Sequence, residues 1–340
     1  MTPDGGGRTG GGGAGGRTGA SGRTGAGGAG GAGGGVAATV VRAEDAPGPT
    51  LVVRLSHLPA GALALRGELV ALRRALAATP YAGLNKIALY GPSARPGHDL
   101  DYRFVQALPG GGFDFRTGCG HSLLACVVAA ARPGPVTVHA VTTDDDLLCT
   151  PEPAGPNGPA AASYTLRFLR PPDAPGTLPT GRPVDVLDGL PVSLVRYGNP
   201  YVFVDAAHLG APTADALFRA GDGTRRRLLA LRAHAARALG HPPGSALPKI
   251  AAFAVDDAGR TAVRALTVGG WHPRLALTGA AALAAAASVG GTVVPPLRGT
   301  VRTPGGPVTV SCDDGRVAVH HKRAAVVDRL RIPWRIHATA

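Results

Sequence analysis

The chain has 340 residues, 52 of them Gly, and a formal net charge of +13. Nineteen glycines fall in residues 1–35, and the rest of the chain is apolar enough to exclude wholesale disorder and long enough for two cores. The longest small-apolar run, Gly279–Val289, is about half of the ~20 residues that a membrane helix needs.

In chain order, residues 1–35 come first, a run of Gly, Ala, Thr and Arg with Arg-Thr-Gly triplets at Arg8, Arg17 and Arg23. Nothing in it buries enough apolar surface to offset the entropy of ordering glycine, so it is expected to be a disordered tail. It has no apolar signal-peptide core, and its glycines lack the strict period of collagen. Helical spacing of apolar residues then predicts a helix over Ala62–Ala77, followed by strands at Asn85–Tyr90 and Asp101–Ala107. A small-residue helix opens at Cys119-Gly120, and a β-branched strand follows at Val136–Val141. Pro171-Pro172 through Pro183 reads as a linker.

The same order recurs beyond the linker. A helix over Thr224–Leu239 precedes strands at Pro248–Phe253 and Ala262–Val268. A small-residue helix opens at Thr278-Gly279, and a strand is expected at Thr292–Val294. The strand openings match closely, Asn-Lys-Ile-Ala-Leu-Tyr against Pro-Lys-Ile-Ala-Ala-Phe. Such a repeat implies two homologous α+β domains, each a curved, mostly antiparallel, barrel-like sheet around a central helix, with the active site in the cleft between them. The expected bounds are 36–180 and 181–320, with 321–340 returning to the first domain. If both helix N-termini face the cleft, their free N–H groups make two opposed anion sites.

The positive charge comes from 32 Arg against three Lys: Lys86, Lys249 and Lys322. The arginines are dispersed, the cluster Arg225–Arg227 reads as a solvated helix face, and 15 aromatics offer no stacking platform, so nucleic acid is not expected as a partner. No membrane is expected either. Four cysteines (Cys119, Cys126, Cys149, Cys312) form no metal-ligand spacing, and His320-His321 stands alone, so no metal is expected. Reduced thiols and a cytoplasmic location follow.

Cys119 opens a helix between Gly118 and Gly120, where a thiol meets free N–H groups and the positive helix end. Lys86 opens an apolar strand in a chain that otherwise uses Arg; lysine, unlike arginine, can give up its proton when desolvated. Lys249 holds the equivalent place in the second repeat without a downstream cysteine, and is expected to serve structure or anion binding.

The segments Lys86-Ile87-Ala88, Asp99–Gln106, Cys119-Gly120, Gly198–Ala206, Pro248–Ala251 and His272–Ala280, in this order, resemble the 2-methylaconitate cis–trans isomerase (PrpF) family. The resemblance spans roughly residues 38–330 and implies the diaminopimelate-epimerase fold, in agreement with the repeat. It also implies a cofactor-independent isomerase that shifts an allylic double bond in an unsaturated carboxylic acid, the small-molecule partner. By the same resemblance, Lys86 and Cys119 are the catalytic pair. Gly120, His121, Ser122, Asn199, His272, Thr278 and Gly279 are the substrate-binding residues. A homodimer is the assembly considered.

Three departures stand out. The family's early substrate loop appears as Arg42–Gly48 with Glu44 and Asp45, two acids expected to repel a carboxylate and so to favour a substrate poorer in carboxylates than 2-methylaconitate. The Asn that follows the family's Cys-Gly is His121, a group that titrates near neutrality in the open. Leu277 replaces a glycine and is expected to close one side of the pocket. The alternatives are a 4-oxalomesaconate-type tautomerase, an epimerase of the same fold, or a non-catalytic binding protein.

Overall fold

The β-branched and aliphatic runs of the sequence become strands, and the Ala-rich stretches become helices packed against them. The computed structural model describes residues 35–56, 58–59, 61–153, 162–242, 245–267 and 270–333. The glycine-rich tail and the last seven residues lie outside this set. The first half contains β1 (Val36–Ala43), β2 (Thr50–Arg54), α1 (Arg66–Leu76), β3 (Lys86–Pro92), β4 (Leu100–Ala107), β5 (Phe113–Asp114) and α2 (Gly120–Ala130). It continues with β6 (Val136–Ala140), β7 (Asp145–Pro151) and β8 (Ser163–Phe168). The second half contains β9 (Asp185–Leu187), β10 (Leu190–Tyr197), β11 (Asn199–Asp205), α3 (Ala214–Arg219), α4 (Asp222–Ala238), β12 (Lys249–Val255) and β13 (Thr261–Thr267). After these come β14 (Gly270–Trp271), α5 (Leu277–Ser288), β15 (Val301–Thr303), β16 (Gly306–Val308), β17 (Val310–Asp313) and β18 (Arg316–Ile332).

One sheet runs β1-β2-β3-β4-β6-β7-β8-β18, and β18 pairs again with β1, closing an eight-stranded barrel. The second sheet runs β16-β15-β13-β12-β11-β10-β9, and no pairing closes it among the described residues. Helix α2 lies against β1, β2, β3, β4 and β18, and every residue from Gly120 to Val127 is buried. Helix α5 lies against β10, β11, β17 and β18, with Leu277 to Ala286 all buried. Six alanines in that span let the helix sit close to the sheets on both sides. Amphipathic α1 and α4 cover the outer faces through Leu69, Leu72 and Leu76 on one and Leu228, Leu231 and Ala235 on the other.

The repeat in the sequence is a repeat in topology. Strand β2 runs parallel to β3, which is antiparallel to β4, which is parallel to β6. Strand β11 runs parallel to β12, which is antiparallel to β13, which is parallel to β15. Lys86 and Lys249 are the first residues of the corresponding strands β3 and β12.

Two expectations need correction. Thr292–Val294 is not a strand: the Thr292 hydroxyl donates to the carbonyls of Ala286 (2.8 Å) and Val294 (3.2 Å), and Pro295-Pro296 removes two ladder donors. The strand of this repeat is β15, seven residues further on. The return to the first sheet also begins before residue 321, because β17 and the start of β18 already pair in it. A 17-residue β18 is long enough to meet β17 and β8 near its start and β1 along its end.

Candidate active site

Cys119 adopts extended backbone at the N-cap of α2, and its carbonyl accepts the Leu123 N–H at 2.9 Å and the buried Tyr102 hydroxyl at 2.8 Å. The equivalent N-cap of α5 is Ala276, whose carbonyl accepts the Ala280 N–H at 2.9 Å. Neither helix has a capping side chain or an acid in its first turn, so both present free N–H groups and positive dipole ends.

The two helix starts meet. A Cβ built on Gly120 would lie 2.5 Å from Leu277 Cδ2, so only glycine permits this approach. Asn199 braces the junction: its Oδ1 accepts the Gly118 N–H at 2.7 Å, and its Nδ2 donates to the Gly118 carbonyl at 2.8 Å and to Thr278 Oγ1 at 3.3 Å. One side chain thereby links the residue before Cys119 to the first turn of α5.

Around the junction lies a cavity of about 60 Å³ lined by Lys86, Cys119, Gly120, His121, His272 and Thr278, among others. Lys86 is 7% exposed, and Nζ donates to the Gly48 carbonyl at 3.3 Å. Burial lowers its basicity from the ordinary lysine value; charge on Cys119 works against this and Arg42 with it. Lys249 lines the same cavity, and burial pulls its ammonium down to about 8, with Asp114 opposing and Arg232 assisting. Thr117 Oγ1 and His121 Nε2, both buried beside the cavity, have no hydrogen-bond partner. Both leave a polar atom unanswered at the cavity wall.

The rings of His121 and His272 stack at 6.3 Å. Burial, with Lys322 and Lys86 nearby, holds His121 well below the ordinary histidine range. Burial and Lys86 bring His272 to about 4. Both rings are therefore neutral near pH 7, and His121 does not titrate there as its residue type suggested.

The predicted site residues divide. Lys86, Cys119, Gly120, His121, Asn199, His272 and Thr278 all line the cavity. Ser122 does not: it is fully buried, with Oγ 2.9 Å from Thr50 Oγ1, because the third residue of α2 turns into the barrel. Gly279 does not line it either; a Cβ there would lie 2.6 Å from the Tyr201 hydroxyl, so this glycine makes room for Tyr201. Leu277 lines the cavity beside Gly120.

The two acids of the early loop also read differently in three dimensions. Glu44 is exposed, while Asp45 is buried between two cations, Lys322 Nζ at 2.6 Å from Oδ2 and Arg274 at 2.7 Å from Oδ1. Two positive charges on one carboxylate leave this corner net positive, so the expected repulsion of a substrate carboxylate by Asp45 does not hold. Sequence reasoning assigned Lys249 the place equivalent to Lys86 with a structural or anion-binding role; the structure adds that it lines the same cavity. No local signal marked Arg274 and Lys322, which reach Asp45 only through the fold.

Among the described residues, no group of three or more His, Cys, Asp or Glu is placed to hold a metal ion, and no helix is long and apolar enough to cross a membrane.

Comparison with known proteins finds relatives of the chain in sequence and in fold. The model of the family described as "PrpF protein" matches residues 154–332. The Escherichia coli K12 protein named "Putative isomerase YbhH" is 27% identical over 241 residues, covering 62% of this chain and 68% of that protein. The crystal structure of methylitaconate-delta-isomerase superposes with a TM-score of 0.60 at 23% identity, covering 87% of this chain and 94% of that one. A hydroxyproline epimerase from Agrobacterium vitis superposes with a TM-score of 0.54 at 17% identity, over 87% of this chain and 92% of the other. The two superpositions establish the epimerase-like fold.

Proposed function

The chain belongs to the PrpF family of epimerase-like isomerases, and from that premise we propose that it shifts an allylic double bond in an unsaturated carboxylic acid without a cofactor. The observation that carries the reading is the shared cavity of Lys86 and Cys119 between two uncapped helix N-termini. Lys86, its basicity lowered by burial, takes the proton from the carbon next to the alkene. The electron pair of the broken C–H bond spreads over the alkene and carboxylate, and the free N–H groups of α2 and α5 receive the negative charge. Cys119 returns a proton at the far end of the former double bond, and transfer from Lys86 to the thiolate resets the pair. An amine and a thiol suffice for this proton traffic, so no cofactor enters the proposal. Four unpaired cysteines agree with a reducing compartment, and we place the reaction in the cytoplasm.

Methylitaconate and related unsaturated acids, incubated with the protein in deuterated water, test the reading. Exchange at the allylic carbon is expected with at least one acid, and it is lost in Lys86→Ala and Cys119→Ala. Full exchange in both variants would overturn the assignment of roles. A racemase or epimerase is the second reading. The residue at the α5 N-cap weighs against it, because Ala276 offers no second acid or base opposite Cys119.

A further inference from the structure

The adjacent histidines His320 and His321, which the isomerase reading leaves unused, stand where the register of β18 with β8 shifts between Val319 and Lys322. His321 takes a left-handed φ of 56° there. Bulges of this kind re-aim side chains. His320 Nε2 lies 2.8 Å from Ser311 Oγ on β17, and His320 Nδ1 lies 3.1 Å from Thr165 Oγ1 on β8. Thr165 donates its proton to Glu152 Oε1 at 2.7 Å. None of these four residues lines the reaction cavity.

The direction of each proton follows from the carboxylate end. Glu152 also accepts the Ser163 hydroxyl at 2.7 Å and the backbone N–H and ring Nδ1 of His321, each at 2.9 Å. Burial alone would raise this carboxyl, but the hydrogen bonds bring it down to about 2, so it is ionised and only accepts. Thr165 has one proton and gives it to Glu152, so its oxygen accepts from the Nδ1–H of His320. The Nε2 lone pair of His320 therefore faces Ser311 and accepts the serine proton. Burial and His321 lower the basicity of His320, with Glu152 and Asp313 opposing, so the ring is neutral near pH 7. A nucleophile, a base and a group that orients the base stand in line.

Ser311 also lines a recess of about 380 Å³ formed by α5, residues 296–300 and β17. Ala284, Ala287, Pro296, Leu297 and Val310 give the recess apolar walls, and no charged side chain is among the described residues that line it.

We propose that Ser311 is the nucleophile of a second active site, which hydrolyses carboxylic esters whose short apolar acyl chain occupies this recess. Ser311 Oγ bonds to the ester carbonyl carbon as its proton passes to His320 Nε2, and the carbonyl π pair moves onto oxygen. That pair returns, the C–O bond to the alcohol breaks, and the departing oxygen takes the proton from Nε2. Water then attacks the acyl-serine by the same two transfers, releasing the acid and restoring Ser311. Thr165 and the Glu152 carboxylate hold the ring in the required tautomer and offset the positive charge that it gains. The site shares no residue with the isomerase reading and stands or falls without it.

A short-chain alkyl fluorophosphonate and p-nitrophenyl esters from acetate to hexanoate test the proposal on the full chain. The fluorophosphonate is expected to bond to Ser311 with loss of fluoride, as peptide mass mapping would show. Ester hydrolysis is expected to fall by about a hundredfold or more in Ser311→Ala and His320→Gln. Thr165→Val should slow labelling of Ser311 by about tenfold or more, and Thr165→Ser, which keeps the hydroxyl, should restore it. A wild-type protein that is unlabelled at Ser311 or hydrolyses none of the esters overturns the proposal. Hydrolysis that survives Ser311→Ala, or labelling as fast in Thr165→Val as in wild type, overturns it too.

Discussion

Lys322 Nζ donates to Asp45 Oδ2 at 2.6 Å across 277 residues of sequence, with both side chains buried. The pair ties the loop between β1 and β2 to β18. Arg274, in the segment before α5, takes the other carboxylate oxygen. Lys86 is bound to the same loop through the Gly48 carbonyl. One carboxylate therefore joins three distant segments at the edge of the reaction cavity. Asp45→Ala leaves Lys322 buried without its counter-charge and is expected to cost about 3–5 kcal/mol. Urea unfolding measures it; an unchanged midpoint would show that the clamp contributes no stability.

Gly120→Ala tests the contact between the two helix starts. Its Cβ would lie 2.5 Å from Leu277 Cδ2 and 2.8 Å from Leu277 Cβ, so trimming the end of the leucine does not clear the space. A loss of about 1–3 kcal/mol is expected from overpacking. The double variant Gly120→Ala/Leu277→Gly should be more stable than the sum of its single changes predicts, and strict additivity would contradict the contact.

His272 makes the fold acid-sensitive. Its folded value is about 4 against an ordinary 6.5, so the unfolded chain takes up a proton in that interval that the folded chain refuses. Stability should fall as pH drops from about 6.5 to about 4, by about 3 kcal/mol from this group. His121, shifted in the same direction, adds to the slope. His272→Gln is expected to flatten the curve between these limits without removing all of it.

Lys249 acts at the other end of the scale. Its folded value of about 8 lies below the ordinary 10.5, so the unfolded state holds more protons between the two. Stability should therefore rise as pH increases from about 8 to about 10.5. A Lys249→Met variant loses this rise. An anion bound at Lys249 should diminish it too, by favouring the charged amine.

The cysteines should separate by access. Cys312 is exposed and Cys119 borders the cavity, whereas Cys126 and Cys149 are buried. Burial raises both inner thiols, Cys149 to about 12. Iodoacetamide under native conditions is expected to label Cys119 and Cys312 alone, as peptide mass mapping would show. A bound unsaturated acid should protect Cys119 and leave Cys312 reactive.

Much of the fold was legible in the residues because it is written in local periodicity. The 3.6-residue pattern of α1 and α4, the Ala-rich runs of α2 and α5, and the paired Lys-Ile-Ala openings of β3 and β12 required no distant partner to be recognised. Thr292–Val294 misled for a local reason as well, since β-branched residues promise a strand until the following prolines and the Thr292 hydroxyl turn the chain. Ser122 and Gly279 each sit one residue beyond a true cavity residue. At 100° of rotation per residue, that step is enough to turn a side chain from the site into the core.

By itself, the sequence determined a duplicated α+β architecture and singled out Lys86 and Cys119, because rare residue types at helix and strand starts stand out against an Arg- and Ala-rich background. Only the tertiary structure decided that Lys249 joins them, that Asp45 is neutralised and that His121 is held neutral. Those outcomes depend on through-space distance and burial, and the partners that set them, Lys322, Arg274 and Arg232, are brought close by strand pairing across the whole chain.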